Sequence, residues 1–420
     1  MRNMLGRRHP RAALALGLFA VSVAIVATSS IGASASLSAR AGTKATCGAI
    51  PTLTPKDPGR LLNALPASMR AAYNGYSGTI VRSRWKDWKP KGKPPYVVGV
   101  TWGSQSNPFQ IYVFKLIQKF LKKSPLVKDV VAATVISPSD LSGQINNYQS
   151  AIQQGAVLMV SNFTNPNAGA PYISQAADRG IPTVNNFSGI ESRDSVDLQP
   201  NDFAAAAKET ASIVKSLGGK GNVLFVHGVR SVGVDVNAFA GAKSVLEDCP
   251  NMKVVGELDG LFSPPIAKQV VLQYLSTHSE KIDYVVQSAA MSSAIISAFE
   301  QAGRPVPAIM MNFSDKGSLA YWRDNKSKGY NAVGSLIGPT AVANLITRMA
   351  TRMLAGQGMQ YSDLPISEPL VTSANLAQLV KPAWKVGDTA VAEQPKSTWW
   401  TNKELDRLVK HPKLIKGVTR

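Results

Sequence analysis

Short apolar runs alternate along this chain with segments whose apolar positions recur every three or four residues. A continuous apolar run reads as a strand buried on both faces, and the spaced pattern as a helix packed over it. The first run begins at Tyr96 with Val97, Val98 and Val100, and a turn over Gly103–Asn107 leads out of it. Asn107 suits the cap of the helix that follows, and Pro108 suits its first position, where the missing N–H costs nothing. Helix Pro108–Lys123 aligns Ile111, Phe114, Ile117 and Leu121 on one face and leads to a strand over Val127–Ile136. Helix Asp140–Gln154, the Gly155 stop, strand Ala156–Ser161, helix Ala168–Asp178 and a strand opening at Ile181 complete a first series. A second series begins with the Ala-rich helix Asp202–Leu217 and its Gly218-Gly219 stop. Strands Gly221–His227, Met252–Glu257, Ile282–Gln287, Ala308–Asn312 and Tyr330–Ile337 follow, separated by helices Val232–Glu247, Pro264–His278, Met291–Ala302 and Lys316–Asn325. Helix Thr340–Leu354 and the extended Pro365–Thr372 then return to the body. This alternation predicts an α/β protein of doubly wound parallel sheets. Open sheets of that kind take ligands at the carboxyl ends of their strands, which points first to Trp102, Asn107, Phe109 and Gln110.

Charge changes the picture only after it is located. The net charge of +20 splits into +13 over residues 1–95, +2 over 96–380 and +5 over 381–420. A nearly neutral body with basic ends argues against a nucleic-acid groove, because duplex binding draws its affinity from clustered phosphate contacts. With 420 residues and 45% hydrophobic positions the chain can bury two cores. Its two cysteines, Cys47 and Cys249, allow no zinc cluster. Once exported, they either pair and pin the N-terminal extension to the body or remain two thiols.

Export is the reading of the N-terminus. Arg2, Arg7, Arg8 and Arg11 precede an uncharged apolar segment, Ala12 to about Thr28, and Gly32-Ala33-Ser34-Ala35 supplies small residues. This is the order of a secretory signal, with cleavage expected after Ala35 or Ala39, or retention as an anchor. Residues 36–95 form a basic, Pro/Gly-rich extension with a short helix expected over Leu61–Tyr73. The interleaved Trp85 and Trp88 are expected to pack on the body, with an anionic surface as the other reading of that basic stretch. Residues 382–420, with Trp384, Trp399 and Trp400, read as a surface tail.

Between Tyr96 and about Val380 the chain resembles the periplasmic sugar-binding proteins of the ribose-binding type, the solute receptors of ABC importers. The resemblance rests on Val100-Thr101 and Asn107-Pro108-Phe109, then on Gln144 and Ile152-Gln153-Gln154-Gly155-Ala156-Val157-Leu158-Met159-Val160. It continues in Ala176-Ala177-Asp178-Arg179-Gly180-Ile181-Pro182-Thr183-Val184. It implies two Rossmann-like lobes, 96–202 plus 337–360 and 203–336 plus 361–381, joined by three hinge crossovers. These are expected near Asn201–Phe203, Gly334–Gly338 and Met359–Leu364, with Asn201, Asp202, Gly334 and Gly338 as hinge residues. It also implies a ligand trapped between the lobes, an ABC permease in the membrane as partner, a monomeric receptor, an extracytoplasmic location and no cofactor or metal.

On that resemblance, Asn107 and Phe109 match the family's first-loop Asn and aromatic, Gln110 stands where a second aromatic is common, and Phe262 falls near the aromatic of the second lobe. Asn185-Asn186-Phe187 stands where sugar binders place an Asp-Arg pair, and Val234-Asp235-Val236-Asn237 where they offer an Arg. Gln287-Ser288 replaces an Asn-Asp, and Asn312-Phe313-Ser314 a Phe-Asp; Asn162 and Ser335 complete the candidate set. Charged clamps become amides, hydroxyls and aromatics. Leaving a buried polar group unpaired costs about 1–3 kcal/mol, so a hydroxyl-dense hexose would fit such a pocket poorly. The expectation is a neutral, less polar or partly aromatic ligand, with a deoxy or substituted sugar next. Each residue also has a plainer reading: Phe163, Phe187 and Phe313 as core residues, Asn107 as a cap, and Asp235 as a solvated first-turn carboxylate. Asn201-Asp202 reads as a helix cap at the hinge rather than a ligand contact.

No G-x-S-x-G elbow, no G-x-x-x-x-G-K-[ST] loop and no H-E-x-x-H occurs, and no poised His, Cys or carboxylate pair converges. The reading is therefore a binding protein and not an enzyme. A solute receptor for an importer stands first, and a ligand sensor for a membrane signalling partner, using the same cleft, is the alternative.

Overall fold

The structure is a computed structural model that describes residues 46–412, apart from 104, 106, 107 and 231. The expected export signal and Asn107 lie outside the described residues. The elements are α1 (Ala67–Ala71), β1 (Tyr96–Trp102), α2 (Pro108–Leu121), β2 (Val127–Thr134), α3 (Leu141–Gln153) and β3 (Leu158–Asn162). They continue with α4 (Pro166–Asp178), β4 (Thr183–Asn186), β5 (Ser195–Pro200), α5 (Asp202–Ser216), β6 (Lys220–His227) and α6 (Gly233–Leu246). Next come β7 (Asn251–Asp259), α7 (Pro264–Thr277), β8 (Tyr284–Gln287), α8 (Ser292–Gln301), β9 (Ala308–Met311) and α9 (Lys316–Asn325). The chain ends in β10 (Val333–Ser335), α10 (Pro339–Leu354), β11 (Asp363–Ile366), β12 (Leu370–Val371), α11 (Leu376–Leu379) and α12 (Asn402–Asp406).

Two six-stranded sheets result, ordered β11-β5-β4-β3-β1-β2 and β12-β10-β9-β8-β6-β7. The first is parallel throughout, and in the second only β12 runs antiparallel, against β10. In each sheet the strand order reverses beside the first strand, between β1 and β3 and between β6 and β8. That switch point is where an open α/β sheet leaves a crevice at its carboxyl edge. Central strands are buried on both faces, as in β3 and β8, which is why their sequences run apolar rather than alternating.

The chain passes between the sheets three times. Asn201 links β5 to α5, whose partner in packing is α6, and residues 336–338 link β10 to α10, which lies on α2. The third passage falls at Ser367–Pro369, later than the Met359–Leu364 expected from the resemblance, because Asp363–Ile366 pairs with β5 in the first sheet before the chain leaves it. What keeps those residues there is the N-terminal extension: the Tyr73 hydroxyl donates to the Asp363 carbonyl at 3.0 Å, and this edge strand is buried on both faces. Strand β5 has no apolar run to announce it, since Asp197 and Gln199 interrupt Ser195–Pro200.

Both extensions are built into the body. Cys47 and Cys249 are joined in a disulfide that ties the start of the described chain to the second lobe. From there the strap passes the first crossover, where the Asn201 amide donates to the carbonyls of Ala72 and Asn74 at 2.8 and 2.9 Å. It then packs Leu62, Met69 and Tyr73 into the core of the first lobe. The expected helix over Leu61–Tyr73 is divided at Pro66 into a 3-10 turn, Leu61–Ala64, and α1. Trp85 and Trp88 pack on the body, their indole N–H groups donating to the carbonyls of Asp194 and Gly180 at 2.7 and 2.8 Å.

The C-terminal segment is not a surface tail as far as residue 412. Helix α10 buries Arg348 and Arg352 one turn apart, and a buried guanidinium needs partners. The segment supplies them: Arg348 donates to the Trp400 carbonyl at 2.6 Å and Arg352 pairs with Asp406 at 2.7 Å. Leu405, Leu408 and Val409 are buried in the same core cluster as the apolar residues of α10.

Removing the disulfide releases a loop of 202 residues in the unfolded chain, and losing a native disulfide costs about 2–5 kcal/mol. Equilibrium urea unfolding of a Cys47→Ser/Cys249→Ser variant is expected to show a loss of that order, and an unchanged midpoint would contradict it.

Candidate functional site

The carboxyl ends of the two switch points meet through three phenylalanines. Phe109 opens α2, Phe187 follows β4 and Phe313 follows β9. Phe109 lies edge-on to Phe187 at 5.6 Å between ring centroids and to Phe313 at 6.0 Å, and Phe187 and Phe313 are 6.4 Å apart. Phe313 and Val234, carried by the second lobe, thereby join the apolar cluster of the first. Phe262, Ala289 and Ala290 pack against the same cluster.

The backbone at these positions is unusual. Among the described residues other than glycine, left-handed φ values occur at Arg60 and at Phe187, Leu261, Phe262, Ala289, Ala290 and Phe313, where φ runs from 50° to 57°. Apart from Arg60, all follow a strand's carboxyl end. Bulky residues avoid this region, and each instance costs of order 1–3 kcal/mol unless the surroundings enforce it. Gly228 belongs to the same construction: a Cβ there would stand 2.0 Å from the Phe262 ring, so only glycine lets that ring lie on the strand end.

Most of the polar residues foreseen from the sequence are engaged within their own lobe. Trp102 donates to the Gln110 side-chain oxygen at 2.6 Å. The amides of Asn162 and Asn186 donate to the carbonyls of Asn186 and Ser161, both at 2.8 Å, and the Asn185 amide donates to Asp197 at 3.1 Å. Gln287 donates to the carbonyls of Met310 and Asn312 at 3.0 Å and accepts from the Met291 N–H at 3.2 Å. Asn312 accepts from the Ala289 N–H at 3.2 Å and donates to the Ser335 hydroxyl at 3.4 Å.

Asp235 is not solvated. It is 1% exposed, faces the His227 Nδ1 at 2.8 Å, and accepts from the Gly228 N–H at 2.6 Å and from the Ser288 hydroxyl. The His227 ring in turn stacks on Phe239 at 3.6 Å. Asn237 is half-buried near Gly233, and so is Gln199, which reaches across from β5 and was not foreseen because its strand was not.

A second set of side chains marks the hinge. Asn201 caps α5 by accepting from the Ala204 N–H at 3.1 Å. Asp202 follows it, Glu368 sits in the third crossover, and Glu209 on α5 faces Ser335 beside the second. Burial, with the Glu368 carboxylate adding to it, holds both Asp202 and Glu209 well above the usual carboxylate range. Burial pushes Glu368 up to about 8, against the pull of Lys208. The Glu209 oxygens have no hydrogen-bond partner of ordinary geometry among the described residues, and the nearby Ser335 and Asn312 offset the burial only in part. Of these acids the sequence reading placed Asp202 at the hinge, as a helix cap with Asn201, and singled out neither Glu209 nor Glu368. Among the described residues no cluster of three or more His, Cys, Asp or Glu could hold a metal ion.

The profile of the periplasmic binding protein domain matches residues 98–358. The chain belongs to the periplasmic binding protein family. It is 28% identical over 182 residues to a xylitol-binding protein of Mycolicibacterium smegmatis, covering 43% of this chain and 52% of that one. To a D-apiose import binding protein of Paraburkholderia graminis it is 25% identical over 178 residues, covering 40% and 55%. The matches thus span about half the length of these curated relatives. A solved ABC transporter solute binding protein from Thermobispora bispora superposes with a TM-score of 0.64 at 22% identity, over 75% of this chain and 95% of the other, a likeness of fold. The family domain ends at 358 and so leaves out the strap, the third crossover and the C-terminal segment.

The hinge acids give a pH dependence whose sign follows from the direction of their shifts. The folded state holds the Glu368 proton up to about 8 against an ordinary value of 4.5. Stability from this group is therefore full below about pH 4.5 and is lost as pH rises toward 8. Urea unfolding at pH 5 and pH 8 is expected to show lower stability at pH 8, and Glu368→Gln should flatten the difference. A steeper decline in the variant would contradict the assignment.

Proposed function

We propose that this chain is the extracytoplasmic solute receptor of an ABC importer, which traps a small neutral, sugar-like ligand between its lobes by hinge closure and delivers it to a membrane permease. The observation that carries the reading is the meeting of two switch-point crevices across three crossovers, within a chain of the periplasmic binding protein family. Two such lobes around short connections are the geometry of a hinge that closes on a ligand. A ligand that touches both lobes favours the closed state by its differential affinity alone. The Cys47–Cys249 disulfide and the basic, then apolar, N-terminal sequence support a place outside the cytoplasm. The relatives named above are binding proteins, one of them of import, which favours transport over sensing. The receptor acts as a monomer, with Trp102, Asn107, Phe109, Gln110, Asn162, Asn185, Asn186, Asp235, Asn237, Phe262, Gln287, Ser288, Asn312 and Ser335 forming or supporting the ligand cleft.

In small-angle scattering, the purified mature chain is expected to remain monomeric and to lose radius of gyration when its ligand, recovered by native mass spectrometry from freshly purified protein, is added back after removal. Unchanged scattering with ligand bound would contradict hinge closure.

A further inference from the structure

We propose that the first lobe carries a second binding site, for a phosphate monoester group, in the basic cavity between the N-terminal extension and the loop that leads into β5. The cavity lies at the amino end of that strand, whereas the cleft lies at the carboxyl ends. The proposal therefore goes beyond the receptor reading and does not depend on it.

The cavity is a product of how the extension is laid down. The Ser83 N–H donates to the Gln360 carbonyl at 3.0 Å, the Arg84 N–H to the Arg193 carbonyl at 2.9 Å, and the Trp85 indole to the Asp194 carbonyl at 2.7 Å. These bonds turn the indole inward and leave Arg82, Arg84 and Arg193 exposed, with Lys86 half-buried. Between the extension and residues 191–193 a cavity of about 490 Å³ opens to solvent, with those four cations in its lining. Ligand pockets commonly measure about 300–1,000 Å³, so a phosphorylated small molecule or headgroup fits.

The charges of the lining select the ligand. Arg84 is committed: it pairs with Asp178 and Asp194 at 3.1 and 3.2 Å and lies over the Trp85 ring. The side chains of Arg82 and Arg193 make no hydrogen bond or ion pair among the described residues. Lys86 has only Asp87 near it, at 3.8 Å, and Asp87 is also held by Lys410. Glu191 is the one carboxylate of the lining, and it accepts from the Thr79 hydroxyl at 3.2 Å. Arg82, Lys86 and Arg193 thus outweigh Glu191 by two charges. A phosphate monoester carries a charge of about −1.5 to −2 at pH 7 and balances that excess, where a carboxylate would balance only half of it. Guanidinium forks also match phosphate oxygens two at a time. The hydroxyls of Ser83 and Ser192, on the same wall, accept from the N–H groups of Trp85 and Asp194 at 3.2 and 3.1 Å, which leaves their own hydrogens to donate.

A phosphorylated solute and the headgroup of phosphatidic acid share this chemistry, and two measurements separate them. The full mature chain would be titrated calorimetrically with sn-glycerol 3-phosphate, with glycerol as the uncharged control. It would also be co-sedimented with phosphatidylcholine vesicles made with and without phosphatidic acid. Heat of binding with the ester and none with glycerol is expected if a free solute suffices, and retention on the phosphatidic acid vesicles alone identifies the lipid headgroup. Arg82→Gln/Arg193→Gln keeps two polar side chains but removes both charges, and should weaken whichever binding is seen by about tenfold or more. Its thermal midpoint should not move, since both side chains are exposed. Lys86→Gln, on the same rim, reports independently with a smaller loss. Absence of binding to both probes would overturn the proposal, and so would unchanged binding in the double variant, which would place the ester elsewhere on the chain. Neither result touches the receptor reading, because none of these residues belongs to the cleft.

Discussion

Phe313 stands beyond the end of a strand in one lobe and rests on two phenylalanines of the other, and the rest of the structure can be followed outward from that contact. It exists because two sheets with the same reversal of strand order present their carboxyl edges to each other. Each sheet contributes loops whose left-handed residues turn side chains into the gap. Behind the rings, amides and hydroxyls bond to strand-end backbone and to one another, fixing the loops instead of lining the gap with free donors. Rigid loops and an apolar centre are two consequences of one arrangement.

The parts outside the family domain are structural members of the same body. The strap is covalently fixed to the second lobe at Cys249, crosses the hinge at Asn201 and Phe203, and contributes core side chains to the first lobe. The stretch between Cys47 and Leu62 thus bridges a covalent anchor on the second lobe and core packing in the first, alongside the three crossovers. The C-terminal segment completes α10 in a different sense. Without Asp406 and the Trp400 carbonyl, two buried arginines would lose partners, and an uncompensated buried charge is strongly destabilising.

The sequence made legible whatever depends on periodicity. Strands β1, β3, β6 and β8 are apolar runs, and helices such as α2 and α10 carry apolar stripes, so order and fold class were readable. It was silent where a strand is made by its neighbours. Strand β5 carries Asp197 and Gln199, and β11 is held in the first sheet by Tyr73 from an extension nearly 300 residues earlier, a contact no local pattern encodes. The site was half legible: Phe109 stood among the candidates, while Phe187 and Phe313 also read as core residues at strand ends, and nothing local showed that the three rings would touch. That Asp235 is locked by His227, Gly228 and Ser288 depends on three separate segments converging, as does the burial of Glu209 and Glu368.

Those two acids connect the hinge to the aromatic contact. Glu209 faces Ser335 and Asn312, and the Ser335 hydroxyl also accepts from the Phe313 N–H at 3.4 Å. A carboxyl group removed from water is far cheaper to bury with its proton than without it. Asp202, Glu209 and Glu368 border the three crossovers, and among the described residues the cation that acts on Glu368, Lys208, lies at the surface. Hinge geometry that keeps water from these groups favours their protonated forms, and geometry that admits water favours ionisation. The protonated state of these acids thus belongs to the buried geometry of the crossovers, and Ser335 is the side chain that faces Glu209 and accepts from the Phe313 N–H.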